Sequence, residues 1–349
     1  MLRRLLWSVV ALAALLSPVS APAQPAPNRI VAIGDLHGDF QAWRAIGQAA
    51  GLIDAKGKWV GGNTTLVQMG DIVDRGPDSL KIIKDLMKLQ HEAPSQGGKV
   101  IVLLGNHEAM MMTGDFRYVH PGEFAAFVNK DSKARRTKVY EANKVVIQSA
   151  YRSRVPEMPP ESIRKEWEKT TPLGKIELQL AWRPTGELGK WALANPAVLK
   201  LGDTLFAHGG ISSTFAAMPI DEMNRQAAAA LKAQDQTPTA IINNPQGPVW
   251  YRGLISRGDG DDATVAPIPQ GAAAALSIEQ EIDLALSSFG VKRIVVAHTP
   301  SKQGIIEGAG GKLWRIDSAN SRHYGGPPSY LEIMGDKVTP HKVARPPGK

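Results

Sequence analysis

The sequence predicts an α/β fold in which two sheets pack on each other, and three observations predict it. From Arg29 onward, short apolar runs alternate with stretches of helical periodicity. Three of those runs end in Gly followed by acidic, amide or imidazole side chains. The strand pattern lapses into a long charged stretch and resumes near Val198, so a second sheet is expected to pack on the first.

The elements follow in order. MLRRLLWSVVALAALLSPVSAPAQ sets Arg3 and Arg4 before an apolar stretch from Leu5 to Leu16, then Ala21 and Ala23 in an A-x-A arrangement. That apolar part is short for a bilayer span, so residues 1–23 read as a secretory signal cut after about Ala23. A Pro-rich spacer, residues 24–28, leads into a domain expected over 29–345. RIVAI, Arg29 to Ile33, is a strand ending in GDLHGD, and a helix is expected from Phe40 to Ala50 with Ala42, Ala45, Ile46 and Ala49 on one face. TLVQM, Thr65 to Met69, ends in GDIVDRG; Pro77 suits a first helical position before Leu80, Ile83, Leu86 and Leu89. KVIVLL, Lys99 to Leu104, ends in GNHE, where Gly permits a tight turn. In an open α/β sheet such loops meet at one edge.

Residues 113–195 carry helical patterns and no strong strand signal, which predicts a mostly helical insertion. It either caps the site or embellishes the periphery, and Trp167, Trp182 and Trp191 read as its own small core. Gly202 and Asp203 then turn a hairpin between Val198 to Leu201 and Thr204 to Ala207, delivering His208 ahead of Gly209 and Gly210. Asp221 to Gln234 is helical by composition, and Ser277 with Gln280 forms a capping box for a helix stopping near Gly290. KRIVVA, Lys292 to Ala297, is a strand ending in His298; strands at Leu313 to Ile316 and Tyr330 to Ile333 are expected to complete the second sheet.

A chain of 349 residues that is 43% hydrophobic can bury a substantial core and is neither disordered nor fibrous. It has no Cys, hence no disulfide framework and no lipid-modified Cys; with the signal this predicts a periplasmic or secreted protein without stable membrane insertion after cleavage. The formal charge of +8, or +6 without Arg3 and Arg4, favours anionic substrates but does not point to nucleic acid. The densest basic stretch, Lys130 to Lys138, has no interleaved aromatics and reads as a solvated surface.

Asp35, His37, Asp71, Asp74, Arg75, Asn106, His107, His208 and His298 all fall at strand ends. Carboxylates, imidazoles and an amide oxygen suit a divalent transition metal, and Asp71 could bridge two ions about 3.5 Å apart. The lack of thiolates excludes a closed structural zinc knot. Each His alone would read as an ordinary buried or surface side chain, but five strand ends sharing one chemistry point to a metal site.

GDLHG (Gly34 to Gly38), GDIVDRG (Gly70 to Gly76), GNHE (Gly105 to Glu108) and HGG (His208 to Gly210) resemble the successive signature motifs of the metallophosphoesterase superfamily, in its phosphoprotein phosphatase branch. The resemblance implies an α-β-β-α sandwich of two mixed sheets flanked by helices, with a binuclear centre at its strand ends. By motif, Asp35, His37 and Asp71 would hold the first metal, and Asp71, Asn106, His208 and His298 the second. His107 matches the general acid, paired with Asp74. Arg75 matches a phosphate-gripping arginine, with Asn106 beside the phosphate and Arg252 of VWYRG the candidate second arginine ahead of Arg315 and Arg322. The implied cofactors are two divalent ions, manganese first, with iron or zinc accepted by the same donors. The implied reaction is phosphomonoester hydrolysis on phosphorylated proteins or peptides, with metal-bound hydroxide attacking in line and His107 protonating the departing oxygen.

Leu104 stands where the familiar eukaryotic enzymes have Arg, the last His lies in AHTP, and DSANSRHY, Asp317 to Tyr324, replaces their closing tail. With the insertion, these features resemble the Shewanella-like group of bacterial phosphatases, some of which favour phosphotyrosine. The choice between phosphotyrosine and phosphoserine or phosphothreonine stays open, and Tyr324 reads as a core or rim tyrosine. The alternatives are a diadenosine tetraphosphatase-like nucleotide hydrolase, which shares the motifs, and a metal-bound recognition module without catalysis.

Overall fold

The computed structural model describes residues 29–257 and 276–347. The expected signal segment and spacer, residues 1–28, lie outside the described residues. Among those described, no helix is long and apolar enough to cross a membrane.

The chain runs β1 (Ile30–Ile33), α1 (Phe40–Ala49), β2 (Thr65–Gln68), α2 (Ser79–Glu92), β3 (Lys99–Val102) and α3 (Asn106–Thr113). Five helices follow: α4 (Pro121–Ala125), α5 (Ser132–Arg152), α6 (Pro160–Thr170), α7 (Lys175–Ala181) and α8 (Glu187–Leu193). A hairpin of β4 (Val198–Leu201) and β5 (Thr204–Ala207) leads to α9 (Ser213–Ala216), α10 (Ile220–Ala233) and α11 (Ile278–Phe289). The last strands are β6 (Arg293–Val296), β7 (Ile306–Gly308), β8 (Leu313–Arg315), β9 (Ser329–Met334) and β10 (Lys337–Lys342).

The strands form two mixed five-stranded sheets, ordered β10-β9-β1-β2-β3 and β4-β5-β6-β8-β7. Alternation along each strand splits its side chains between two layers. Ile30, Ala32, Val67 and Met69 of the first sheet pack with Phe206, Val295, Trp314 and Ile316 of the second, forming the layer between the sheets. Val31, Ile33 and Leu66 face the helices with Trp43, Ile46, Ile83 and Leu86. Both faces of β1 and β2 are therefore buried, which accounts for their continuous apolar character.

Several local expectations change. β9 does not complete the second sheet; it pairs antiparallel with β1, Ile30 opposite Ile333, and so closes the first. An apolar strand carries no label for its partner, and the free edge of β1 decided the pairing. β10, unforeseen in the sequence, covers β9 in turn, and its Pro340 is tolerated because β10 is an edge strand. On α1 the buried face is Ala42, Trp43, Ile46 and Gly47, while Ala49 is exposed, because the fully buried Trp43 indole turns the helix toward itself. Helix α2 begins at Ser79, two residues after Pro77, because the Asp78 N–H donates to the Gly38 carbonyl at 3.0 Å and keeps the chain in its loop. Trp182 and Trp191 join the main core; Trp191 Nε1 donates to Gln90 Oε1 of α2 at 3.1 Å. Trp167 packs instead on Tyr140, ring centroids 5.2 Å apart.

Candidate active site

The strand-end loops are held in unusual backbone conformations. Five of the eight described non-Gly residues with positive φ are His37, Asp71, Asp74, Arg75 and His298, at 40°, 53°, 68°, 67° and 64°. Side chains with a Cβ rarely adopt this region, so the surroundings must impose it. Glu108 does this for the Asp71 loop. Its Oε2 accepts N–H groups from Gly105 at 3.0 Å and Asp71 at 2.8 Å, and its Oε1 accepts from Ile72 at 2.8 Å. Gly105 is required by close approach: a Cβ there would lie 2.3 Å from Asp71 Oδ1.

These turns bring the expected donors together. His208 Nδ1 donates to the Met69 carbonyl at 2.8 Å, so the neutral ring carries its lone pair on Nε2. That lone pair faces two more acceptors, Asn106 Oδ1 at 3.0 Å and Asp71 Oδ2 at 3.3 Å. His37 repeats the pattern, its Nδ1 on the Val73 carbonyl at 2.9 Å and its Nε2 3.8 Å from Oδ2 of both Asp35 and Asp71. His298 Nε2 is buried without a partner. Donor atoms converging in this way fit a cation: burial disfavours a charged His208, but Asp71 outweighs it and raises the ring's pKa, so a proton fills the gap unless a divalent ion takes its place. His37, Asp71 and His107 form one buried group close enough to share an ion, and Asp71, His208 and His298 form another.

The electrostatics agree. Burial drives the His37 pKa down to about 3, with the neighbouring His107 adding to the effect. Burial, then Arg252, also holds His298 well below its ordinary value. Both rings are thus neutral donors. Burial opposes the charge of Asp71, but His208 and His107 outweigh it and keep its pKa well below the carboxylate range. Asp35 shifts the other way, raised by burial and by the adjacent Asp317 and Asp71 carboxylates. Such crowding of negative charge needs a compensating cation.

His107 stands apart because its Nδ1 is engaged, 2.5 Å from Asp74 Oδ2. Its Nε2 remains open on the same cleft, 3.8 Å from Asp71 Oδ2. Burial alone would lower the His107 pKa, but Asp71 and then Asp74 outweigh it, and the net shift is upward. Arg75 lines the cleft with its guanidinium carbon 3.8 Å over the Tyr118 ring and its Nε without a partner. Arg252 lines it too, with one contact to Thr299 Oγ1 at 3.4 Å. Arg322 is tied instead to Asp39 and to the carbonyls of Pro346 and Pro347, and Arg315 does not reach the cleft. Tyr324 is a wall residue, its ring 5.3 Å from His37.

Sequence reasoning missed four contributors. Asp317, buried beside Asp35, is pushed up to about 6 chiefly by burial. Tyr118 and Trp250 line the cleft. Glu108 organises the loops from the last position of GNHE, and its place inside that motif was the available signal. Tyr118 also shows that the stretch after α3 contacts the site.

A family profile described as calcineurin-like phosphoesterase matches residues 28–302. The chain is 33% identical to Shewanella-like protein phosphatase 2 of Arabidopsis thaliana, covering 89% of this chain and 76% of that one. It is 30% identical to Shewanella-like protein phosphatase 1 of Plasmodium berghei, over 89% and 73%. Among solved structures, a cold-active protein-tyrosine phosphatase of a psychrophilic Shewanella superposes with a TM-score of 0.64 at 23% identity, covering 92% and 83% of the chains. A protein serine/threonine phosphatase from Saccharomyces cerevisiae superposes with a TM-score of 0.53 at 14% identity, covering 93% and 82%. The two structures share the fold of two mixed sheets flanked by helices, and the profile match over most of the sequence, ending on the AHTP loop of the site, places this chain in the calcineurin-like metallophosphoesterase family.

Proposed function

We propose that this metal-dependent phosphatase hydrolyses phosphomonoesters carried by proteins or peptides, on phosphotyrosine, phosphoserine or phosphothreonine. The observation that carries the reading is the convergence of His208 Nε2, Asn106 Oδ1 and Asp71 Oδ2 beside an imidazole held by its own carboxylate, Asp74. Asp35, His37 and Asp71 would hold one divalent ion; Asp71, Asn106, His208 and His298 would hold the second, with manganese our first choice. When bound, such ions neutralise phosphoryl oxygens and make hydroxide available at neutral pH.

The chain's own residues supply the rest. Arg75 and Arg252, both on the cleft, present guanidinium groups to the phosphoryl oxygens, with Asn106 alongside. Tyr118 stacks on Arg75 and limits its motion. As the bond from phosphorus to the ester oxygen breaks, His107 Nε2 gives its proton to that oxygen, and Asp74 stabilises the imidazolium beforehand and restores its orientation afterwards. His107 therefore acts as an acid although it lies near the donor set: its Nδ1 is committed to Asp74. The Arabidopsis and Plasmodium relatives, named protein phosphatases, support the substrate class.

Phosphate release should be measured from matched phosphotyrosine and phosphoserine peptides and a dinucleoside polyphosphate, with manganese present, beside His107→Ala. Peptide turnover that drops in the variant supports the proposal; release from the nucleotide alone replaces it with the nucleotide hydrolase; no release leaves the recognition module. We also propose an exported location from the N-terminal pattern, which fails if the N-terminus of the protein purified from its own cells still begins before Ala21.

A further inference from the structure

Glu123 belongs to α4, outside the strand-end motifs, yet its carboxyl is spent on one of their loops. It is 2% exposed, its Oε1 accepts the Asp74 N–H at 3.0 Å, and the same oxygen accepts the Ser79 hydroxyl. Around it are Val73, Ile83, Met111, Phe127 and Trp182, which border a void of about 10 Å³, room for one water at most. Burying a carboxyl among such neighbours is unfavourable unless it satisfies something equally buried. What it satisfies is the backbone of Asp74, held at φ 68°.

That backbone matters because Asp74 has little else to orient it. Its Oδ2 meets His107 Nδ1 at 2.5 Å, while its Oδ1 is buried with no partner. The next residue is gripped from the same stretch of chain, the Arg75 N–H donating to the Tyr118 carbonyl at 3.0 Å. The segment after α3 thus fastens both halves of the Asp74–Arg75 pair from behind.

We propose that Glu123 is a positioning residue for proton transfer: through Oε1 it holds Asp74 in the left-handed turn that aims Oδ2 at His107, and so fixes the imidazole that serves the departing oxygen. Burial, followed by the Asp74 charge, pushes the Glu123 carboxyl up to about 8, so near neutral pH it remains protonated and does not compete with Asp74 for the imidazolium. A neutral carbonyl oxygen is sufficient to accept both hydrogen bonds. The inference rests on the reading of His107 as the proton donor.

The test compares the full chain, Glu123→Gln, Glu123→Leu and His107→Ala, all manganese-loaded, on a phosphoserine peptide and on p-nitrophenyl phosphate. The first substrate needs its leaving oxygen protonated far more than the second. Glu123→Gln keeps an acceptor oxygen and should stay within about threefold of wild type on both. Glu123→Leu keeps the volume but not the acceptor; kcat on the peptide should fall about tenfold or more, with KM and p-nitrophenyl phosphate turnover little changed. Read on zinc-loaded samples, since zinc is diamagnetic, the downfield proton resonance of the His107–Asp74 hydrogen bond should persist in Glu123→Gln and weaken or move in Glu123→Leu. Should Glu123→Leu fail to accumulate, Glu123→Asp, with its carboxyl withdrawn by one methylene, carries the same expectations. Equal losses on both substrates, or a wild-type substrate ratio with an unmoved resonance, overturn the inference while a steep ratio in His107→Ala leaves the proton-donor reading intact. A flat ratio in His107→Ala itself overturns that reading and this inference with it.

Discussion

The Glu108 carboxylate accepts the Asp71 N–H at 2.8 Å, joining the GNHE turn to the loop that supplies the central aspartate of the site. Asp71 answers from the other side, its Oδ1 accepting the His107 N–H at 3.0 Å. The two loops therefore hold each other, and the GNHE turn helps keep Asp71 in its left-handed conformation at φ 53°.

Glu108→Gln replaces one acceptor oxygen by an amide that points donors at backbone donors. We expect a loss of roughly 2–4 kcal/mol, since buried N–H groups lose their partners. Thermal unfolding with and without manganese checks it. A variant as stable as wild type, with full metal content, would show that Glu108 does not organise the loops.

The His107 pKa is raised above 6.5 in the folded protein. Stability from its carboxylate partners is thus fully present below about pH 6.5 and fades as pH climbs through the higher folded value. Turnover that needs the protonated ring should fall over the same alkaline window. Asp74→Asn removes one cause of the upward shift, so the alkaline limb should move to lower pH by about one unit or more. Rate profiles on an alkyl phosphate would show the limb unmoved if Asp74 has no such role.

Tyr118 meets Arg75 through its ring face, the guanidinium carbon 3.8 Å from the ring centroid. Tyr118→Phe should therefore be close to neutral, while Tyr118→Ala should lower kcat/KM about fivefold, corresponding to roughly 1 kcal/mol of lost cation–π contact. Steady-state kinetics on one peptide decides it; equal loss in both variants would implicate the hydroxyl instead.

Chelation should remove activity and lower the unfolding temperature, because the buried carboxylates would then repel one another without compensation. With free ion at a hundredfold its Kd, each site contributes about 2.7 kcal/mol. Readdition of manganese should restore both properties. An unfolding temperature indifferent to metal would argue against a buried binuclear site.

Much of this was written locally in the sequence. The hairpin at Gly202 and Asp203 and the Ser277–Gln280 capping box appear where their residues require them, since turn and cap chemistry acts over a few residues. The convergence of Asp35, His37, Asp71, Asn106, His107, His208 and His298 followed from motifs that end strands of two packed sheets. Tyr118, Glu123, Trp250 and Asp317 carried no such signal: an isolated aromatic or acid looks the same on a surface as in a cleft.

By itself, the sequence determined where the chain turns, which strand ends carry donors, and that those donors suit divalent ions, because propensity, glycine placement and ligand chemistry are properties of short segments. Tertiary structure alone decided that β9 pairs with β1, that Trp182 and Trp191 join the main core, and that α4 sends Glu123 beneath Asp74. Those outcomes depend on which edges, faces and buried backbone groups remain unsatisfied once the rest of the chain has folded, and distant residues compete to satisfy them.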